Sequence, residues 1–253
     1  MIKDTAKRCW FRDELRQARA MAFRDGEGCD EIILTLERLG LVLTKKTINL
    51  RGFKQAIRAQ ASKSPLAEEI PKQFVDVMMP FPLLYDYVVE GRNAAFHEGA
   101  YGRHLTTHAV ILSTILEDAL MNGLNNVRDF MVPNPICAES WQPVSFIRQT
   151  MLVNSFSYLP VRMRYGSAEE DWWLISSQAV AQYLRVCPHP RKNLATPLDG
   201  AINANGIQPL LPRLASPAHS IEKATHRWDG HPILVMRDGS RELLGILTAF
   251  DLL

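Results

Sequence analysis

The sequence predicts a two-domain protein of class α + α/β, in which an all-helical bundle precedes a module of alternating strands and helices. In the first half, apolar residues such as Phe11, Leu15 and Ala22 recur at helical spacing. In the second half, prolines and short apolar runs, as in residues 158–161 and 243–247, indicate strands separated by helical segments. We therefore expect one domain at residues 1–126 and another at residues 127–253.

Composition favours a globular protein in an aqueous compartment. The chain of 253 residues is 47% hydrophobic and 22% charged, which is typical of soluble domains. The net charge of +2 is too small to indicate nucleic-acid binding by itself. No apolar run reaches the roughly 18 residues of a membrane span, and the N-terminus lacks the apolar core of a secretory signal. We expect a cytoplasmic protein without a membrane partner.

The cysteines do not indicate a metal site. Cys9, Cys29, Cys137 and Cys187 are far apart and form no C-x-x-C pair. Such spacing is typical of reduced thiols rather than of a zinc site or a disulfide framework.

Several signals place helix boundaries in the first half. Ser64-Pro65 predicts a helix start, because a hydroxyl caps the helix and proline fits its first turn. The apolar pattern continues from Phe74, but Pro80 and Pro82 must kink or break it. A long last helix follows a turn at residues 99–102 and ends near residue 122.

The second half contains an internal repeat. A spacing of 72 positions separates Pro160 from Pro232 and also Ser176 from Thr248. Each copy passes from a proline-containing strand through a second strand to a hydroxyl residue and a helix. We place the first copy at about residues 127–187 and the second at about residues 188–253.

The repeat resembles a tandem pair of CBS domains, each of βαββα type. The second copy closes with Gly245-Ile246-Leu247-Thr248-Ala249-Phe250-Asp251, which has the glycine, hydroxyl and aspartate spacing of that family. Residues 129–136 are similar to the opening of a CBS domain. The resemblance implies an adenosine-type regulatory ligand, such as AMP, ADP or ATP, bound at Thr248 and Asp251.

The chemistry of these residues suits a nucleotide. Thr248 can donate its hydroxyl to a phosphate, and Asp251 can accept hydrogen bonds from both ribose hydroxyls. Alternatively, Thr248 caps the last helix and Asp251 lies in its first turn.

The first copy departs from the pattern. Trp173 stands where the glycine is usual, Ser176 keeps the hydroxyl, and Ala179 replaces the aspartate. We expect one strong adenosine site, with a pair that only dimerises as an alternative. Five basic residues could add positive charge for phosphates or be ordinary surface residues: Arg213, His219, His226, Arg227 and His231.

In the first half, Arg92-Asn93-Ala94-Ala95-Phe96-His97 resembles the R-x4-H motif of HEPN nucleases. The resemblance implies a metal-independent endoribonuclease that cuts RNA as a homodimer, with a composite site at the dimer interface. The 2′-hydroxyl attacks the neighbouring phosphate and leaves a 2′,3′-cyclic phosphate. His97 is the general base or acid, and Arg92 stabilises the phosphoryl charge. Asn93, four residues before His97, is placed to orient the imidazole.

A second R-x4-H pattern makes Arg103 and His108 reserve candidates for catalysis. His104 and His108 are also spaced to share a metal, but no third ligand accompanies them, and we expect no metal or catalytic cofactor. The leading hypothesis is thus an endoribonuclease regulated by the CBS ligand. The alternative is a non-catalytic nucleotide sensor whose helical domain only dimerises or binds RNA or protein.

Overall fold

The computed structural model describes residues 1–24, 28–98, 102–166, 169–186 and 190–253, without the side chains of residues 94–98, 102, 103, 186 and 190. The chain divides into two units, Met1–Leu124 and Asn125–Leu253. Among the described helices, none has both the length and the apolar character that crossing a membrane requires.

The first unit is built from helices that bury one apolar face each. Its described residues form α1 (Thr5–Arg24), α2 (Asp30–Thr44), α3 (Leu50–Ala61), α4 (Glu69–Gln73), α5 (Phe81–Glu98) and α6 (Gly102–Met121). Fully buried side chains from these helices share one core, among them Leu15, Leu36, Tyr85 and Leu116. A Cβ atom at Gly40 of α2 would lie 2.2 Å from the ring of Phe53, so glycine is needed where α2 meets α3.

The helix boundaries near the prolines differ from those expected. The expected continuous helix from Phe74 is wrong, because residues 74–80 are not helical and Val77 is 84% exposed. Helix α5 begins only at Phe81, with Pro82 in its first turn, where the missing N–H removes no helical hydrogen bond. Ser64 accepts a hydrogen bond from the Leu66 amide at 3.1 Å within a turn, so the helix expected there does not form.

Arginines of α1 hold the end of α6. Arg8 Nε donates to the carbonyl oxygen of Leu120 at 2.6 Å, which satisfies one of the last carbonyls of α6. Arg16 and Arg19 donate to Glu117 Oε2 at 3.3 and 2.9 Å. Glu117 is buried, and burial raises the pKa of its carboxyl although both arginines lower it. The contact between α1 and α6 is therefore polar as well as apolar.

The second unit mixes strands with helices. Its described elements are α7 (Val127–Phe130), β1 (Val132–Pro133), β2 (Ala138–Glu139), α8 (Val144–Asn154), β3 (Tyr158–Met163), β4 (Asp171–Ser176), α9 (Ser177–Val186), α10 (Pro190–Ala195), α11 (Leu198–Asn203), β5 (Arg213–Ala215), α12 (Ile221–Thr225), β6 (Ile233–Met236), β7 (Leu243–Leu247) and a 3-10 helix (Ala249–Leu252). The strands form one sheet in the order β2-β3-β4 and a second in the order β1-β7-β6-β5.

The two sheets have the same internal pairing. In the first, β2 is parallel to β3, and β3 is antiparallel to β4. In the second, β5 is parallel to β6, and β6 is antiparallel to β7. Ala138 pairs with Val161 as Ala215 pairs with Val235. The unit is therefore an internal repeat, with β2, β3 and β4 equivalent to β5, β6 and β7.

The strand registers correct one detail of the expected repeat. Leu159 pairs with Ile175, and Ile233 pairs with Leu247, so Leu159 is equivalent to Ile233. The spacing of 72 between Pro160 and Pro232 is thus wrong by two residues. The difference arises because the connection between β3 and β4 is longer than that between β6 and β7. The same spacing holds after these connections, where Ser176 is equivalent to Thr248.

The copies exchange their leading helices. At the start of α7, Val127 N donates to the carbonyl oxygen of His219, just before α12 of the second copy, at 2.9 Å. At the start of α11, Leu198 N donates to the carbonyl oxygen of Gln142, just before α8 of the first copy, at 2.9 Å. Each copy is therefore completed by the helix that precedes the other.

A glycine allows the leading segment of the first copy to reach the second. Strand β1 pairs with β7, and Pro133 lies opposite Gly245. A Cβ atom at Gly245 would lie 2.6 Å from Met131 Sδ and 2.9 Å from the carbonyl oxygen of Val132. Only a residue without a side chain permits this approach.

We predict that Gly245→Ala lowers the free energy of unfolding by about 1–3 kcal/mol, because β1 must shift to admit the methyl group. Gly200→Ala is the matched control, since its Cβ would meet only Thr196 Cγ2, at 3.4 Å. Urea unfolding followed by tryptophan fluorescence measures both, because four of the five tryptophans lie in the second unit. Equal stability of the two variants would contradict the prediction.

Candidate functional site

The hydroxyl residues singled out in the two copies lie at the same end of equivalent hairpins. In the first copy, Tyr158 at the start of β3 pairs with Ser176 at the end of β4. In the second, Ile233 at the start of β6 pairs with Leu247, the residue before Thr248. Ser176 and Thr248 therefore each follow the paired part of a hairpin at its open end.

An aromatic contact joins these two hairpin ends. The rings of Tyr158 and His231 meet edge to face, with centroids 5.8 Å apart and an interplanar angle of 68°. His231 lies two residues before β6, on the same side of the second sheet as Thr248. The candidate ligand residues of both copies are thus brought to one region. The sequence did not reveal this contact, because the register that creates it depends on the length of each connection.

Thr248 and Asp251 form a capping box. Asp251 Oδ2 accepts hydrogen bonds from Thr248 N at 2.7 Å and from Thr248 Oγ1 at 2.8 Å, and Asp251 is buried. The pair fixes the start of the terminal 3-10 helix. The capping alternative is therefore realised in the structure, while ribose recognition by Asp251 stays a prediction.

The first copy presents different chemistry at the equivalent positions. Ser176 Oγ accepts a hydrogen bond from Ala179 N at 3.1 Å and so caps α9, without a carboxylate beside it. Trp173 occupies the position of Gly245, and its ring packs edge to face against Tyr165 at 5.0 Å. Trp173 Nε1 is buried and has no hydrogen-bond partner among the described residues. Only the second copy thus combines a hydroxyl with an aspartate.

A separate cavity lies at the opposite end of the hairpins, where β4 and β7 begin. Its volume is about 600 Å³, and neither Thr248 nor Asp251 lines it. Trp172 Nε1 donates to the carbonyl oxygen of Arg241 at 2.9 Å across this end. Its lining residues are Asn134, Pro135, Cys137, Arg162, Trp172, Arg241, Glu242 and Leu243. The second unit therefore offers two distinct surfaces to a ligand.

In the helical unit, Arg92 is held in an ion pair. Its Nη1 lies 2.7 Å from Glu37 Oε1 of α2, and the two side chains are 35% and 31% exposed. Asn93 is exposed. Both residues share helix α5 with His97, but the side chains of His97 and Arg103 lie outside the described residues. Glu37 was not a candidate from the sequence, since nothing local links it to Arg92.

The reserve histidine lies against a tyrosine. The His108 ring stacks on Tyr87, with centroids 5.2 Å apart and an interplanar angle of 19°. Burial, followed by the charge of His104, lowers the pKa of His108. His104 is exposed on the same helix, α6. No group of three metal-ligating side chains occurs among the residues with described positions.

Comparisons with known proteins follow this geometry. No family model matches the chain, and no curated protein matches it. Solved structures, however, align with half of it. Half of this chain is similar to CBS-domain structures. A CBS domain-containing protein of unknown function from Bacillus anthracis is 16% identical, with a TM-score of 0.39, over 50% of this chain and 88% of that one.

Two further structures show the same level of similarity. CBSX2 in complex with AMP is 16% identical, with a TM-score of 0.37, over 50% of this chain and 91% of that one. A putative acetoin utilization protein (AcuB) from Vibrio cholerae is 13% identical, with a TM-score of 0.39, over 50% of this chain and 86% of that one. The assignment of the C-terminal unit depends on its own repeat and registers, and the HEPN resemblance of the helical unit stays a prediction.

We predict that His108 titrates below its ordinary pKa of 6.5 and that Tyr87→Ala raises its pKa, because the ring then meets water. His104→Gln should also raise it, by a smaller amount, through loss of a neighbouring charge. Proton NMR titration of the histidine ring signals measures each pKa. His219→Gln, which removes a histidine from the other unit, is the control. An unchanged His108 pKa in Tyr87→Ala would contradict the expected effect of burial.

Proposed function

We propose that the protein is a nucleotide sensor whose C-terminal unit is a tandem CBS module that binds an adenosine-type ligand. The observation that carries this proposal is the meeting of equivalent hairpin ends, where Tyr158 contacts His231 beside Ser176 and Thr248. Two copies of one strand topology, with exchanged leading helices, support the same assignment.

The proposed ligand contacts follow from the second copy. The Thr248 hydroxyl and the Asp251 carboxylate already form a fixed pair, so their oxygens are oriented in advance. A ribose would replace the hydroxyl contact of Asp251 Oδ2 with contacts from its own two hydroxyls. Trp173 and Ala179 in the first copy provide neither the open glycine position nor the carboxylate. One strong site is therefore proposed, at the end of β7.

The connection from the helical unit passes close to this site. The chain that follows α6 enters α7 and β1, and β1 pairs with β7 through Val132 and Ile246, two residues before Thr248. A change in β7 on ligand binding would therefore act on β1 and on the connecting segment. This is the proposed route by which the ligand regulates the helical unit.

We propose that the regulated activity is metal-independent cleavage of RNA by a homodimer. The supporting observation is that Arg92 and Asn93 both reach the surface of the helix that carries His97. In the proposed mechanism His97 moves the proton of the 2′-hydroxyl, and Arg92 leaves Glu37 to bind the phosphate oxygens. Glu37 and the phosphate thus compete for one guanidinium. The alternative is a sensor whose helical unit only dimerises or binds RNA or protein.

We predict that Asp251→Asn weakens AMP binding at least about tenfold, since a hydrogen bond to a charged group contributes about 1.5–3 kcal/mol. Asp238→Asn is the control, because Asp238 is an exposed aspartate in the β6–β7 connection. Calorimetric titration of the full chain with AMP, ADP and ATP measures the affinities. Equal affinities for the two variants would remove Asp251 from the site, and binding of none of the three by wild type would contradict the sensor.

We predict that wild-type protein cuts RNA in excess chelator, leaves 2′,3′-cyclic phosphate ends, and loses this activity in His97→Ala. Glu37→Gln should increase the rate, because a neutral amide competes less with phosphate for Arg92. His226→Ala, in the other unit, is the control. Gel analysis of labelled RNA, with and without AMP, measures the rates. Equal cleavage by wild type and His97→Ala would exclude His97 and redirect attention to His108, and no cleavage would favour the non-catalytic alternative.

A further inference from the structure

An arginine is anchored beside the proposed ligand site. Arg213 is the first residue of β5 and pairs with Ile233, the first residue of β6. Its Nη1 donates to the carbonyl oxygens of His226 and Arg227 at 2.9 and 3.0 Å, and the residue is partly buried. These bonds fix one arm of the guanidinium on the preceding loop. The charge of Arg213 is therefore held at the same end of the sheet as Thr248.

His231 is fixed in the same region. Its amide donates to Asp229 Oδ1 at 3.0 Å, and its Nδ1 lies 3.1 Å from Asp229 Oδ2. Trp228 Nε1 donates to the His231 carbonyl oxygen at 2.6 Å. The hydrogen bond from the His231 amide lowers the pKa of Asp229, so the carboxylate stays charged and favours a proton on Nδ1. The Nε2 atom makes no hydrogen bond with a described residue.

The spacing of these groups fits a phosphorylated ligand. Strand β6 lies between β5 and β7, and neighbouring strands are about 4.8 Å apart. His231 thus stands about one strand from the Thr248 end, and Arg213 stands about two strands, or roughly 10 Å, from it. A nucleotide has a similar distance between its ribose hydroxyls and its first or second phosphate. Charge agrees with this, because residues 213–231 contain three arginines or lysines against two acids, besides three histidines.

We propose that Arg213 and His231 form a phosphate subsite, so that the ligand is a nucleotide with one or more phosphates rather than a nucleoside. The subsite deepens the proposed function and rests on ligand binding at the Thr248 end. His231 contacts the phosphate next to the ribose, and Arg213 contacts the phosphate beyond it. Tyr158 limits the movement of the His231 ring from the side of the first copy.

The test is calorimetric titration of the full chain with adenosine, AMP and ADP. Wild type is expected to bind ADP at least tenfold more tightly than adenosine. Arg213→Gln and His231→Gln should each reduce that preference at least fivefold and leave the adenosine affinity within about twofold. Arg237→Gln is the charge-matched control, because Arg237 is exposed at the other end of β6 and pairs with Glu242. It should keep the wild-type preference.

Two outcomes would overturn the subsite while the proposed function stands. One is equal binding of adenosine and ADP by wild type, and the other is an unchanged preference in both variants. Binding of none of the three compounds would overturn both. Should circular dichroism show that Arg213→Gln does not fold, Arg213→Lys, which retains the charge, must keep the ADP preference, and His231→Gln must lose it.

Discussion

The pairing of β1 with β7 is the contact on which the second unit depends. It requires glycine at position 245, because any side chain there would meet Met131 and the backbone of Val132. This pairing ties the leading segment of the first copy to the second copy. The reciprocal contact, in which Leu174 of β4 pairs with Leu210 ahead of β5, ties the second copy to the first. Neither sheet is complete without chain from the other copy.

This exchange makes the position of the candidate site significant. The second copy keeps both the glycine and the aspartate of the CBS-like pattern, and it is also the copy that receives the segment leading from the helical unit. The first copy has Trp173 and Ala179 at those positions. The proposed binding site and the connecting segment therefore share strand β7, and a ligand at its end acts on the strand that carries the connection.

Much of the fold could be predicted because it follows from local pattern. The helices at α1 and α8 have regular apolar spacing, and the strands β6 and β7 are apolar runs bounded by turn residues. Failures occurred where tertiary contacts decide. Residues 74–80 have an apolar pattern but are not helical, and the Pro160–Pro232 alignment ignored a difference in connection length. The repeat itself was visible through Ser176 and Thr248, which follow the strands.

The candidate sites could be predicted only in part, for the same reason. Thr248 and Asp251 belong to one short segment, and their contact follows from a spacing of three residues. The pairing of Arg92 with Glu37 and the contact of Tyr158 with His231 join residues far apart in sequence. No local pattern encodes such contacts, and both would change how the proposed chemistry operates.

Hydrogen–deuterium exchange of the full chain, with and without AMP, tests the central claim most directly. The account predicts slower exchange at residues 231–233 and 246–251, where the ligand binds, and also at residues 127–133, which pair with β7. Protection confined to the opposite end of the hairpins, around Trp172 and Arg241, would contradict it, because the ligand would then occupy the separate cavity. Protection at residues 246–251 without any change at residues 127–133 would contradict the proposed route to the helical unit.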